Sequence, residues 1–156
     1  MQGDPKIIEF LNEALKAELA AINQYFTHSK MCENWGWDRL AAKFREESIE
    51  EMHDAEKLMD RILLLDGIPQ PEKIDSVKIG HTPEEQMQYD LDLEVAAISR
   101  YRRGVKLALD LGDDGTRELL EHLLVGEEEH LDWIETQVHM ISDIGIALYL
   151  QAQVGE

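Results

Sequence analysis

The chain has 156 residues and carries 33 acidic against 15 basic side chains, a formal net charge of -18 at pH 7. That length suits one domain with a sizeable core, and the charge disfavours nucleic acid or an anionic membrane as partner while favouring divalent cations, although acidity also serves plain solubility. A single cysteine, Cys32, excludes an intramolecular disulfide, no CxxC pair offers a zinc or rubredoxin-type iron site, and no run of about 18 apolar residues is present to span a membrane.

The first residues, MQGDPKIIEF, lack the basic-then-apolar profile of a secretory signal, so the reducing cytoplasm is the expected compartment. Asp4 followed by Pro5 predicts a helix start, and apolar residues at steps of three and four carry that helix over about 5–34, before Gly36. A second helix is predicted over 39–66, stopped by Gly67 and Pro69. Thr82, Pro83 and Glu85 open a third over 83–111, and Thr116 opens a fourth over 116–143. Gly145 then separates a short fifth over 146–152. Short connections make hairpins of the first and second helices and of the third and fourth, and the linker from about Ile68 to His81 is long enough to cross a bundle. The expected fold is all-α: an antiparallel four-helix bundle, one domain over 1–156, with one long crossover and a short C-terminal helix.

Each long helix carries an acid on its apolar stripe near mid-length. The first reads Leu11, Leu15, Glu18, Ile22, Tyr25; the second Leu40, Phe44, Glu47, Glu51, Asp54 or Ala55, Leu58. The third reads Leu91, Glu94, Ile98, Tyr101, and the fourth Leu123, Glu127, His130, Ile134. An isolated buried carboxylate protonates rather than stay charged, so several on one core need cations among them. Glu18 to Glu51 and Glu94 to Glu127 are both 33 residues apart, as if the hairpins repeat one design. Any one of these glutamates could instead snorkel to solvent. Together they match a pattern already known from ferritin-like di-iron proteins, a glutamate from each of two helices and Glu-x-x-His from each of the others. The match comprises Glu18, Glu51, Glu94, Glu127 and His130, with Asp54 where the pattern wants histidine. Asp54 either ligates the same metal through a harder anionic oxygen or leaves that metal under-coordinated.

Helical angles place His53 away from the core, with Glu46, Glu50, Lys57 and Asp60 on a charged face. Met52 joins Ile49, Met59 and Leu63 on a second apolar edge, matched by Leu19, Asn23 and Phe26 on the first helix, which suggests a subunit contact. Cys32, His28, His81, His122 and His139 have no companions at metal spacing, and Trp35, Trp37 and Trp133 suit bundle ends and subunit contacts.

The stretches AELAAINQYF, NWG, ESIEEM, EEEHLDW and LYLQAQV resemble bacterioferritin along nearly the whole chain. The resemblance implies iron storage in a 24-subunit cage and ferroxidase activity at a di-iron centre, using dioxygen or hydrogen peroxide. It further implies haem b shared between two subunits with Met52 as axial ligand, and a small ferredoxin as reductant for iron release. It marks Tyr25 as an electron donor. Some members carry an inner-surface iron site at the positions of Glu46 and Glu50, typically a histidine and an aspartate; this chain departs by having two glutamates there, and we expect His53 to help build a displaced site with them. Two rival expectations remain: a haem-carrying storage subunit whose oxidation is impaired at Asp54 and relies on a second subunit type, or a di-iron oxidase or peroxidase acting on a small substrate.

Overall fold

A computed structural model describes residues 1–155; Glu156, the last residue of the expected 1–156 domain, lies outside them. Helix α1 spans Pro5–Trp35, α2 Asp38–Leu64, α3 Pro83–Asp110, α4 Asp114–Ile144 and α5 Ile146–Gln151. No strand occurs among the described residues.

The ends follow local chemistry. Asp4 caps α1 by accepting from the Lys6 N–H at 2.8 Å, and Gly36, at φ 90, closes it with a left-handed turn in which the Trp37 N–H bonds the Cys32 carbonyl. Thr82 caps α3 through the Glu85 N–H. Two expected boundaries shift. Helix α2 stops at Leu64 and not Asp66, because Asp66 takes φ 60 and the Gly67 N–H returns to the Ile62 carbonyl. Helix α4 begins before Thr116, because Asp113 is the cap and accepts from the Thr116 N–H at 3.0 Å. Arg61 of α2 donates to the same Asp113 oxygen and so ties the two helix ends together.

Helices α1 and α2 pack as one hairpin and α3 and α4 as the other. The core divides into two apolar clusters. One contains Leu11, Leu15, Leu58, Ile62, Tyr101 and Leu120; the other contains Tyr25, Leu40, Phe44, Met87, Ile134 and Tyr149. Along every long helix the buried acids fall between the two.

The crossover runs along α1, which catches its backbone with a row of polar side chains. Asn12 bonds the Ile68 carbonyl and the Gln70 N–H, Gln24 accepts from the Lys78 N–H, and His28 Nε2 accepts from the Gly80 N–H at 3.0 Å. Because Nε2 accepts there, the ring carries its proton on Nδ1, which faces Asp90 at 3.0 Å. Gly80 has no room for a side chain: a Cβ would lie 2.3 Å from the Gln86 backbone nitrogen. Replacing Gly80 with alanine is expected to lower stability by about 2 kcal/mol, in the range of overpacked sites. Chemical denaturation read by circular dichroism checks this, and an unchanged midpoint would show that the crossover is not pinned there.

Candidate metal centre

One buried layer holds acids from all four long helices. Glu18, Glu51, Glu94 and Glu127 are each no more than 2 % exposed, and His130 is 7 % exposed. Helical spacing delivers them: Glu127 and His130 lie one turn apart on the inward stripe of α4, while Glu18, Glu51 and Glu94 occupy apolar-stripe positions on α1, α2 and α3. His130 Nδ1 lies 3.1 Å from Glu51 Oε1 and 3.6 Å from both Glu94 Oε1 and Glu127 Oε2. Two overlapping groups each bring four ligand atoms within 4.8 Å of one another: Glu51, Glu94, Glu127 and His130; and Glu18, Glu51, Asp54 and Glu127. The expected ligands are therefore all in one place, Asp54 included.

The layer is electrostatically unfinished. Glu18 Oε2, Glu51 Oε1, Glu94 Oε2, both Glu127 oxygens and His130 Nδ1 are buried without an aligned hydrogen-bond partner. Native interiors seldom leave such atoms bare, and hard anionic oxygens beside an imidazole suit iron-group cations. Burial, reinforced by the charge of Glu127, pushes the Glu18 carboxyl up to about 7. Burial with Glu18 and Glu127 does the same to Asp54, also to about 7. Glu51 and Glu127 are held well above the usual carboxylate range by burial and by their acidic neighbours. The His130 imidazolium resists burial only because Glu127, Glu47, Glu51 and Glu94 crowd it, and they hold its pKa far above the ordinary histidine value. The donor set is compatible with metal binding.

Two phenols flank the layer. Tyr25 OH donates to Glu94 Oε1 at 2.5 Å, and Tyr101 OH donates to Glu18 Oε1. Both rings are fully buried. Between α1 and α3 a cavity of about 210 Å³, walled by Ala17, Ala20, Ala96 and Ala97, reaches Glu18 and Glu127.

The other side of His130 departs from expectation. Its Nε2 lies 2.5 Å from Glu50 Oε2 and 2.8 Å from Glu47 Oε2, so Glu47, Glu50 and His130 form a further group at ligand spacing. Lys43 holds the other Glu47 oxygen at 3.0 Å. Burial opposes charge on Glu47, but His130 and Lys43 outweigh it and lower its pKa. Among the described residues Glu46 and His53 enter none of these groups, and both are exposed. The expected trio Glu46, Glu50 and His53 is thus not what the fold assembles: the long Glu50 side chain turns to His130. Glu47 lay on the apolar stripe of α2, the one signal that could have singled it out.

Met52 is 55 % exposed, and the neighbouring edge exposes Ile49, Phe26 and Leu63 as well. His28 pairs with Asp90, Cys32 donates to Gln86, and the Trp133 ring meets Phe44 edge-on, none of them at the ligand cluster.

Comparison with known proteins agrees with this geometry. The family model described as a ferritin-like domain matches residues 8–144. Bacterioferritin BfrA of Mycobacterium tuberculosis is 47% identical over 149 residues, covering 96% of this chain and 94% of the relative. Bacterioferritin of Streptomyces coelicolor is 46% identical over 154 residues, covering 99% and 92%. Bacterioferritin of Brucella melitensis is 42% identical over 151 residues, covering 97% and 94%. With four helices converging on one layer of acids and a match of this length, the chain belongs to the bacterioferritin family of ferritin-like proteins.

Proposed function

We propose that the chain stores iron after oxidising Fe(II) at a dinuclear centre inside the bundle, in a cytoplasmic cage of 24 subunits. The observation that carries this reading is the set of unpartnered carboxylate oxygens converging from four helices around His130 Nδ1. Glu51 and Glu127 would bridge two metals, Glu18 and Glu94 would bind one each from the ends, and His130 and Asp54 would cap one metal apiece. Bound there, the pair supplies two electrons together to dioxygen or hydrogen peroxide, avoiding one-electron oxygen radicals. The protein does the rest: the apolar clusters on either side exclude water from the layer, and Tyr25 and Tyr101 each occupy one oxygen of a terminal carboxylate, leaving the other for metal. Tyr25 is the proposed electron donor. The charge of -18 per chain, repeated over a cage, draws Fe(II) inward.

Glu50 with Glu47 and His130 would offer a further site at the rim of the layer, as an alternative to His130 capping the dinuclear centre and not in addition to it, since the neutral ring has one lone pair. Haem b would be held at the outer edge of α2, where the exposed Met52 thioether, a soft iron ligand, stands among exposed Ile49, Leu63 and Phe26, with Met52 of a second copy as its counterpart. A small ferredoxin is the proposed reductant for release. Of the rival readings, a di-iron oxidase or peroxidase acting on a small substrate would share these ligands and is separated from the cage by the mass of the assembly in size-exclusion chromatography. A storage subunit with impaired oxidation, working beside a second subunit type, is disfavoured by the position of Asp54 among Glu18, Glu51 and Glu127.

Anaerobic Fe(II) loading followed by stopped-flow mixing with dioxygen should give a fast phase saturating near two irons per subunit. Asp54→Ala should slow it about tenfold or more, in the range for lost metal-site partners, whereas equal rates would remove Asp54 from the ligand set. In the metal-free protein, carboxyls raised to about 7 hold protons that metal must displace. Zn(II) titration should therefore release more protons per metal at pH 6 than at pH 8. The same groups make the metal-free fold lose stability as pH climbs from the ordinary carboxylate value through about 7, because the native state binds more protons than the unfolded chain. Thermal melts between pH 5 and 8 read this, and Zn(II) should flatten the slope. Finally, Met52→Leu should yield cages without the absorption bands of bis-methionine haem; retained bands would place the haem elsewhere.

A further inference from the structure

We infer that Tyr101 is a second redox-active tyrosine of the metal centre, the counterpart of Tyr25, so that two phenols complete the electron supply when dioxygen is reduced to water. This rests on the ferroxidase reading above.

The two phenols are related by a reciprocal exchange. Tyr25 lies seven residues after Glu18 on α1, and Tyr101 lies seven residues after Glu94 on α3. Two turns of helix put each tyrosine on the same inward stripe as its own glutamate, and each bonds the glutamate of the other helix. Tyr25 donates to Glu94, and Tyr101 donates to Glu18. Both rings have 0 % exposure. In each acceptor the second oxygen, Oε2, is buried and unpartnered, and Glu94 Oε1, which accepts from Tyr25, itself lies 3.6 Å from His130 Nδ1. Each phenol would thus be one carboxylate away from a metal held in the layer, and among the described residues that carboxylate is the acceptor of its hydroxyl hydrogen. Tyr149, also buried, bonds Gln137 and has no such link.

The electron count gives the pairing a purpose. One dioxygen takes four electrons and four protons to become two waters, and two Fe(II) supply two electrons. Each tyrosine gives one electron and one proton, becoming a neutral phenoxyl radical; the Tyr25 proton passes through Glu94 and the Tyr101 proton through Glu18 to the reduced oxygen. The remaining two protons come from solvent. Hydrogen peroxide takes only two electrons and two protons to reach two waters, so the metal pair suffices and neither phenol is oxidised.

Rapid freeze-quench electron paramagnetic resonance of the intact cage, loaded anaerobically with two Fe(II) per subunit and mixed with dioxygen, tests this. Tyr25→Phe and Tyr101→Phe should each retain about half of the wild-type phenoxyl signal, and the double variant none. Peroxide at the same loading should produce none in any of them. Zn(II) uptake by Tyr101→Phe checks that the ligands still assemble, while the Tyr25→Phe arm leaves Tyr101 in place and does not depend on that variant. If Tyr25→Phe forms ferric product but no phenoxyl radical, Tyr101 is not oxidised and the inference is overturned. Equal radical from peroxide and dioxygen overturns the electron count. A wild-type protein that forms no ferric product at all would instead defeat the ferroxidase reading, and this inference with it.

Discussion

Five buried glutamates and one imidazole share a single layer of this bundle, and the rest of the structure is arranged around keeping them there. An ionised carboxylate out of water is costly unless a cation or proton accompanies it. Among the described residues His130 and Lys43 pair with these acids and Arg100 lies near Glu18, and several oxygens have no donor at all. The layer is therefore compatible with completion by cations. Apolar clusters above and below it supply the burial that holds the four helices at that spacing, so that the unfavourable layer is carried by two favourable ones.

His130 divides the layer. Its Nδ1 faces Glu51, Glu94 and Glu127, while its Nε2 faces Glu47 and Glu50. A neutral imidazole has one lone pair to offer a metal, so cations held by these two sets of carboxylates would compete for the same ring. The run from Glu50 to Glu56 shows how closely a helix can sort its side chains. Glu51 points into the bundle, Asp54 is half-buried beside it, Glu50 reaches His130 from the rim, and Met52 and His53 face outward.

The crossover between the hairpins is held by a different kind of interaction. Asn12, Gln24 and His28 satisfy its backbone groups one after another, and the His28–Asp90 pair buries a polar link between α1 and α3 next to the second apolar cluster. Because the strap passes over the cavity that reaches Glu18 and Glu127, the same contacts that fix the topology also define the mouth of that cavity, where Asp75 and Ser76 contribute to its lining.

Much of this was legible in the sequence. Proline and aspartate at Pro5 and Asp4, glycines at 36, 67 and 145, and a stripe of period 3.6 locate five helices to within two residues, because capping and periodicity are local properties of the chain. Glutamates interrupting that stripe at matched depth identify Glu18, Glu51, Glu94, Glu127 and His130 as one group, since an acid on a buried face demands a partner whatever the neighbouring helix is. Asp54 was readable as inward and as a candidate ligand, but whether its side chain reaches the cluster was left open between two readings. What the tertiary structure alone decided is which atoms meet across helices. Glu50 turning to His130 instead of joining Glu46 and His53, Tyr101 bonding Glu18, and His28 receiving Gly80 all depend on the reach of a flexible side chain into a neighbour placed by packing. Helical periodicity fixes the face from which a side chain departs; the distance to its partner is set by how the four helices pack against one another.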